Sequence, residues 1–212
     1  MTQFYAVLFS LLIILCGFSQ RLAANTLNIT LVNQHNQPLA DAVVELISTT
    51  ATTLPTGKPA SVTQQGLMFQ PFVSAVMRGS AVDFPNLDKT RHHVYSFSPA
   101  KTFEIELYSG KPEQPVVFDK AGIVALGCNI HDYMQAYIYV GDSPLLAVSN
   151  SQGELRFTDL APGDYQLRLW HPWQQAPAVE QQLTLSGHQQ LQLTLAVENK
   201  TKPAAPKRGF GQ

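Results

Sequence analysis

The sequence predicts an all-β protein built from sandwiches or barrels. Short stretches of alternating or β-branched apolar residues recur along the chain, and turns rich in glycine, proline and asparagine separate them. No long segment shows the periodicity of an amphipathic helix. The chain has 212 residues, of which 45% are hydrophobic and 14% charged, so it is long enough for one large or two small domains and too apolar for wholesale disorder.

The N-terminal residues predict export. Residues 5–18 form an apolar block that is followed by Leu22, Ala23 and Ala24, which predicts a secretory signal peptide over residues 1–24 with cleavage near Ala24. An uncleaved membrane anchor is the alternative, since the apolar block approaches the length of a membrane span. No second apolar run is long enough to span, so we expect a periplasmic protein, of a Gram-negative bacterium, with no transmembrane segment after cleavage.

The strand signals can be followed in order. A polar stretch rich in threonine and proline, residues 49–65, is predicted to be a connector. Residues 199–212 hold four basic residues and no acid, which predicts a basic disordered tail. The predicted strands are 27–32, 42–47, 67–76, 80–84, 93–97, 102–108, 115–118, 122–126, 136–140, 145–148, 153–157, 165–170, 180–185 and 191–197.

Charge and cysteine content narrow the function. A net charge of −1 gives no whole-chain electrostatic reason to bind nucleic acid, so we expect no nucleic-acid partner. Signal cleavage would remove Cys16 and leave Cys128 as the single cysteine. In an oxidising compartment a lone thiol is a liability unless something such as a metal occupies it, although a buried inert cysteine is the simpler interpretation.

The neighbours of Cys128 favour a metal. Cys128, His131 and Met134 follow one another at three-residue intervals, and His92 and His93 open a predicted strand upstream. A thiolate, imidazoles and a thioether form a soft, mixed ligand set that suits both oxidation states of copper. Zinc is the competing metal, but its structural sites seldom use methionine. A nucleophilic pair of Cys128 and His131 is also conceivable, but no orienting third group or oxyanion motif accompanies it, so we do not expect an enzyme.

These motifs resemble the cupredoxin family. The segment 67–140 is similar to the plastocyanin, amicyanin and pseudoazurin group in three features, and its short ligand loop is most similar to amicyanin. The features are Gly79-Ser80-Ala81-Val82-Asp83-Phe84-Pro85-Asn86, then His92-His93-Val94, then Cys128-x₂-His131-x₂-Met134. The stretch RHHVYSFSPAK also resembles bacterial cupredoxin-like proteins described as methylamine utilization proteins.

The resemblance implies a Greek-key β-sandwich over residues 60–141 that holds one type 1 copper ion. By the family's motif the ligands would be His92, Cys128, His131 and Met134. The family reads His-Asn-Val where this chain reads His92-His93-Val94, which favours His92 as the first ligand and leaves His93 as the alternative.

The flanking segments resemble a second sandwich. Residues 37–46, 150–157 and 160–167 are similar to parts of carboxypeptidase regulatory-like, transthyretin-type domains, whose fold is often called carbohydrate-binding-like. We therefore expect one sandwich made of residues 25–50 and 142–198 and interrupted by the cupredoxin. In the alternative, 27–47 joins the cupredoxin sheet. Trp170 and Trp173 could form an aromatic platform for sugar, or Trp170 could pack in the core.

Together these features predict a periplasmic blue copper protein that carries single electrons to a transient redox partner. In the family the second histidine, here His131, is the exposed ligand through which a partner couples. A non-redox copper carrier or sensor is the alternative, as is a protein- or carbohydrate-binding module with a vestigial cupredoxin.

Overall fold

The fold is all-β, as the sequence predicts. A computed structural model describes residues 25–49, 59–177 and 179–206, and within these ranges it contains seventeen strands and no helix. The predicted signal peptide therefore lies outside the described residues. The strands form two packed bodies, which we call the outer unit (residues 25–49 and 142–206) and the central unit (residues 59–141).

The outer unit is a sandwich of a three-stranded and a four-stranded sheet. Its strands are β1 (Asn25–Val32), β2 (Val43–Ser48), β13 (Leu145–Val148), β14 (Glu154–Leu160), β15 (Gly163–Trp170), β16 (Val179–Leu185) and β17 (His188–Thr194). The sheet orders are β14-β1-β17 and β13-β2-β15-β16. Alternation along β1 places Leu27, Ile29 and Leu31 in the core between the sheets, where each is at most 1% exposed.

The central unit is inserted in the chain between two neighbouring strands of the outer unit. β1 pairs with β14 and β17, and β2 pairs with β13 and β15, all of which are outer strands. Among the described residues, β1 does not pair with a central strand. The chain thus leaves the outer unit after β2 and re-enters it at the adjacent strand β13.

The central unit packs a five-stranded sheet against shorter sheets. Its strands are β3 (Ala60–Ser61), β4 (Thr63–Gln64), β5 (Phe69–Gln70), β6 (Val73–Met77), β7 (Ser80–Asp83), β8 (His92–Ser98), β9 (Lys101–Tyr108), β10 (Val116–Phe118), β11 (Gly122–Gly127) and β12 (Gln135–Gly141). The sheet orders are β6-β12-β11-β8-β9, β10-β7-β3 and β4-β5. The core between them includes Val82, Phe84, Phe118, Val124 and Ile138, each at most 1% exposed.

Residues 49–76 differ from the sequence prediction in two ways. The predicted connector 49–65 contains β3 and β4, which the sequence analysis missed because each has only two residues. The predicted strand 67–76 is divided into β5 and β6, since Pro71 lies between them and cannot donate to a sheet.

The two units share an apolar junction. Val43, Val73 and Trp170 form its buried centre, and Phe72 and Tyr137 pack beside them. Trp170 is 9% exposed, so it packs inside and does not present a platform to solvent. The junction fixes the central unit against the outer one through contacts as well as through the chain.

A buried carboxylate strengthens this junction. Glu45 on β2 is 1% exposed and accepts hydrogen bonds from the Tyr139 hydroxyl (2.7 Å), the Asp142 N–H (2.6 Å) and the Ser143 N–H (2.8 Å). Because these bonds satisfy the charge, its burial is tolerated at the boundary between the units.

The C-terminal residues lie along the outer unit. Residues 199–206, which belong to the predicted tail, have no regular secondary structure, but Lys202 pairs with Asp41 and lies 5.7 Å above the Phe72 ring. Across the described part of the chain, no helix is long and apolar enough to cross a bilayer.

Candidate metal centre

Two neighbouring strands bring the predicted ligand residues to one end of the central unit. His92 begins β8, whereas Cys128 directly follows β11, and the two strands meet where Gly127 pairs with Tyr95. A Cβ atom at Gly127 would lie 2.6 Å from Cζ of Tyr95. Glycine at this position therefore permits the close approach that sets Cys128 beside β8.

The structure brings His92, Cys128 and His131 together. One ligand-capable atom from each of them lies within 4.8 Å of the other two. Cys128 Sγ is 3.9 Å from His131 Nδ1, and the rings of His92 and His131 have centroids 5.1 Å apart. His92 and Cys128 are buried and His131 is half-buried, so the cluster lies just beneath the surface.

Met134 closes the ligand loop from the core side. Its N–H donates to the His131 carbonyl at 2.8 Å, which turns the chain back into β12. Its side chain is 0% exposed and belongs to the same buried cluster as Cys128. The loop thus places a thioether in the apolar core to which Cys128 also belongs.

Hydrogen bonding leaves one nitrogen of His92 available to a ligand. Nε2 of His92 lies 2.9 Å from Oδ2 of Asp88. Burial alone would raise the pKa of Asp88, but hydrogen bonds from Leu67, His92 and Gly66 outweigh it and hold that pKa below the usual range. A carboxylate only accepts, so Nε2 donates to Asp88, and in a neutral imidazole Nδ1 then keeps its lone pair. Nδ1 is buried without a hydrogen-bond partner among the described residues, which fits a metal-binding nitrogen.

His93 lies elsewhere. Its Nε2 is 2.7 Å from Oε1 of Glu104, and its ring packs 5.6 Å from that of Tyr95. Its Nδ1 is also buried without a partner in the described chain, but His93 is not part of the three-residue group. The structure therefore places His92, and not His93, beside Cys128 and His131.

The environment of His131 favours its neutral form. Burial lowers the pKa of His131, and the nearby His92 lowers it further, while Asp88 acts in the opposite direction. A neutral imidazole is the form that binds a metal. Two exposed apolar side chains stand next to these residues in the sequence. Ile130, which is 45% exposed, precedes His131, and Leu87, which is 60% exposed, precedes Asp88.

No sequence motif contains Asp88 or the buried polar pair Gln64 and Tyr108. Gln64 donates to the hydroxyl of Tyr108, which in turn donates to the Phe84 carbonyl at 2.5 Å. Burial raises the pKa of Tyr108 to about 12, the Gln64 hydrogen bond opposes this, and the charge of Cys128 adds to it. No local spacing signal marks these residues, because their contacts depend on how distant loops meet.

Comparison with known proteins gives structural similarity only. No protein-family model matches the chain, and no curated protein matches it. Among solved structures, a purple cupredoxin from Nitrosopumilus maritimus matches with 17% identity and a TM-score of 0.35, over 39% of this chain and 99% of that protein. Amicyanin from Paracoccus versutus matches with 12% identity and a TM-score of 0.33, over 49% of this chain and 100% of the other. Pseudoazurin from Methylobacterium extorquens AM1 matches with 22% identity and a TM-score of 0.34, over 40% and 76% of the two chains.

Proposed function

We propose that the protein is an exported type 1 copper protein that carries single electrons and turns over no substrate of its own. The observation that supports this most directly is the group of His92, Cys128 and His131, whose ligand-capable atoms lie within 4.8 Å of one another. A bound copper ion would supply a one-electron couple, and the residues of the chain would hold it in place.

The proposed ligands offer three kinds of donor atom to the ion. Cys128 offers a thiolate, His92 and His131 offer imidazole nitrogens, and Met134 offers a weak thioether donor from the core. His92 and Cys128 are held in place by burial and by adjacent strands. Such preorganisation suits electron transfer, because ligands that do not rearrange add little to the barrier.

The surface near His131 supports a transient redox partner. His131 is half-buried, and the exposed Ile130 stands next to it in the ligand loop. We infer that a partner protein contacts this end of the central unit through a small, weakly held interface, as redox encounters generally do. The proposal that the protein is exported to the periplasm depends on the signal peptide predicted over residues 1–24.

Visible absorption of the copper-loaded protein tests the proposal. Copper(II) added to the purified protein should produce a strong thiolate-to-copper band, which Cys128→Ser should abolish. His131→Ala should weaken or remove the band, whereas the matched variant His35→Ala changes an exposed histidine in an outer-unit turn and should leave it unchanged. Absence of the band from the wild-type protein would contradict the proposal, and tight copper(I) binding without colour would favour a non-redox carrier instead.

A further inference from the structure

Asp88 connects the candidate centre to a turn on another part of the chain. Its carboxylate lies 2.9 Å from Nε2 of His92 and accepts hydrogen bonds from the N–H groups of Gly66 (2.8 Å) and Leu67 (2.9 Å). Its own N–H donates to the side chain of Asn86 at 2.9 Å. Both oxygens and the backbone of Asp88 are thus held, and the side chain is only 15% exposed.

The turn that receives the carboxylate has an unusual backbone. Gly66 and Leu67 have φ values of 64° and 60°, so two successive residues adopt the left-handed conformation. Leucine rarely does so, and the conformation costs on the order of 1 kcal/mol or more. Successive N–H groups in such turns converge on a single anion, which here is the Asp88 carboxylate.

We propose that Asp88 is a positioning residue of the copper centre, which orients His92 with Nδ1 toward the ligand cluster and whose negative charge lowers the reduction potential. The inference rests on the proposed function and adds to it a residue that no ligand motif contains. Asp88 reaches the centre through His92, so it acts on the ion without binding it.

The direction of the effect follows from charge. Cys128 as thiolate and Asp88 as carboxylate together carry two negative charges, which balance a divalent cation but exceed the charge of a monovalent one. An excess charge is costly in a buried site, so the pair favours the oxidised state. Asparagine at position 88 keeps an oxygen that can accept from His92 Nε2, but it removes the charge.

Two variants separate charge from positioning. In Asp88→Asn the equilibrium between oxidised and reduced copper should shift at least about tenfold toward the reduced state, which corresponds to about 59 mV for one electron. In Asp88→Ala, which also removes the acceptor, copper affinity should fall by about 10- to 100-fold. The matched control is Glu104→Gln, because Glu104 makes the equivalent contact with His93, and it should leave both quantities unchanged.

The outcomes are distinct for this inference and for the proposed function. A blue wild-type protein whose potential is the same in Asp88→Asn, or shifts as much in Glu104→Gln, would overturn the role of Asp88 alone. A wild-type protein that binds no copper would overturn the proposed function.

A measurement on the wild-type protein covers the case in which a variant fails to fold. Proton–nitrogen correlation spectra of the metal-free protein at neutral pH should show the proton of His92 on Nε2. A proton on Nδ1 would contradict the positioning role.

Discussion

The outer and central units are both two-layer sandwiches, but they differ in whether their buried polar atoms have hydrogen-bond partners. In the outer unit, Glu45 and Ser149 are buried with hydrogen bonds to Tyr139 and to the backbone. In the central unit, four buried polar atoms have no partner in the described ranges 25–49, 59–177 and 179–206. They are Gln64 Oε1, Ser80 Oγ, His92 Nδ1 and His93 Nδ1.

This difference distinguishes the unit that holds the candidate site from the outer unit. An unsatisfied buried polar atom costs about 1–3 kcal/mol, so a fold does not keep such atoms without reason. One of the four belongs to the ligand cluster, and a bound cation would satisfy it. We therefore expect substitutions in the outer unit to change stability alone, and substitutions near the cluster to change stability and metal properties together.

The largest effect should come from the apolar cores. Leu167 in the outer unit and Ile138 in the central unit are both 0% exposed, and truncation of either to alanine should cost about 3 kcal/mol of unfolding free energy. Urea denaturation measures this cost. Only Ile138→Ala should alter the absorption of the copper-loaded protein, because Ile138 shares its core with Cys128 and Met134. An altered copper spectrum in Leu167→Ala would contradict the expectation that substitutions in the outer unit change stability alone.

The next effect concerns the junction. Glu45→Gln removes a charge that accepts three hydrogen bonds, so we expect a loss of about 2 to 3 kcal/mol of unfolding free energy. Tyr139→Phe removes one of those bonds and should cost about 1 kcal/mol. Chemical denaturation of both variants measures the difference. The side-chain oxygen of glutamine can still accept from the Asp142 and Ser143 N–H groups, so equal losses would mean that the charge of Glu45 adds nothing beyond its bond to Tyr139.

A smaller effect is expected where β8 and β11 meet. Gly127→Ala places a Cβ against the Tyr95 ring, and we expect a cost of about 1 to 2 kcal/mol together with a shifted copper spectrum, since Cys128 follows directly. In a Tyr95→Ala background the same substitution should cost much less. A penalty that persists in that background would show that ring contact is not its cause.

The smallest effect is a dependence on pH in the outer unit. Burial lowers the pKa of His171 below its ordinary value of 6.5, with Lys202 acting in the same direction and Asp41 and the Ala40 backbone opposing. The unfolded chain then takes up a proton at a higher pH than the folded chain does. Stability contributed by neutral His171 is present above pH 6.5 and is lost as the pH falls toward the folded pKa, by at most about 1.4 kcal/mol per pH unit.

Denaturation of the metal-free protein at pH 7 and pH 5 tests this dependence. His171→Asn keeps an acceptor for the Trp173 N–H, which bonds to His171 Nδ1 at 3.1 Å, and should lose less stability on acidification than the wild type does. The control His188→Asn changes an exposed histidine and should behave like the wild type. His131 contributes in the same direction, so the sensitivity should be reduced rather than removed.

Local pattern made most of the fold predictable. Strand β13 coincides with its predicted range of 145–148, because its apolar run lies between clear turn residues. Strands β3 and β4 could not be predicted, since two-residue polar strands exist only through their neighbours in space. The prediction of one strand over 67–76 is wrong because Pro71, which cannot donate to a sheet, divides it into β5 and β6.

The site was predictable to the extent that its residues are close in sequence. The three-residue spacing of Cys128, His131 and Met134 predicts a ligand loop. The structure places Cys128 and His131 beside His92. No spacing pattern predicts the contacts of Asp88. Its carboxylate accepts hydrogen bonds from Gly66 and Leu67, which are distant in sequence and meet it only in the folded chain. Hydrogen-bonding partners of a ligand are set by tertiary approach, and no period in the sequence encodes that approach.

The insertion of the central unit has a consequence for synthesis. The outer sandwich begins with β1, but one of the strands that β1 pairs with, β17, follows the turn at Gly187, whose N–H bonds to the Asn25 side chain across 162 positions. The first of the described strands therefore cannot complete its pairing until the last of them has been made, whereas all strands of the central unit come between the two. Until its partners β14 and β17 are available, both edges of β1 are unpaired, and an unpaired strand edge is prone to pair with other chains.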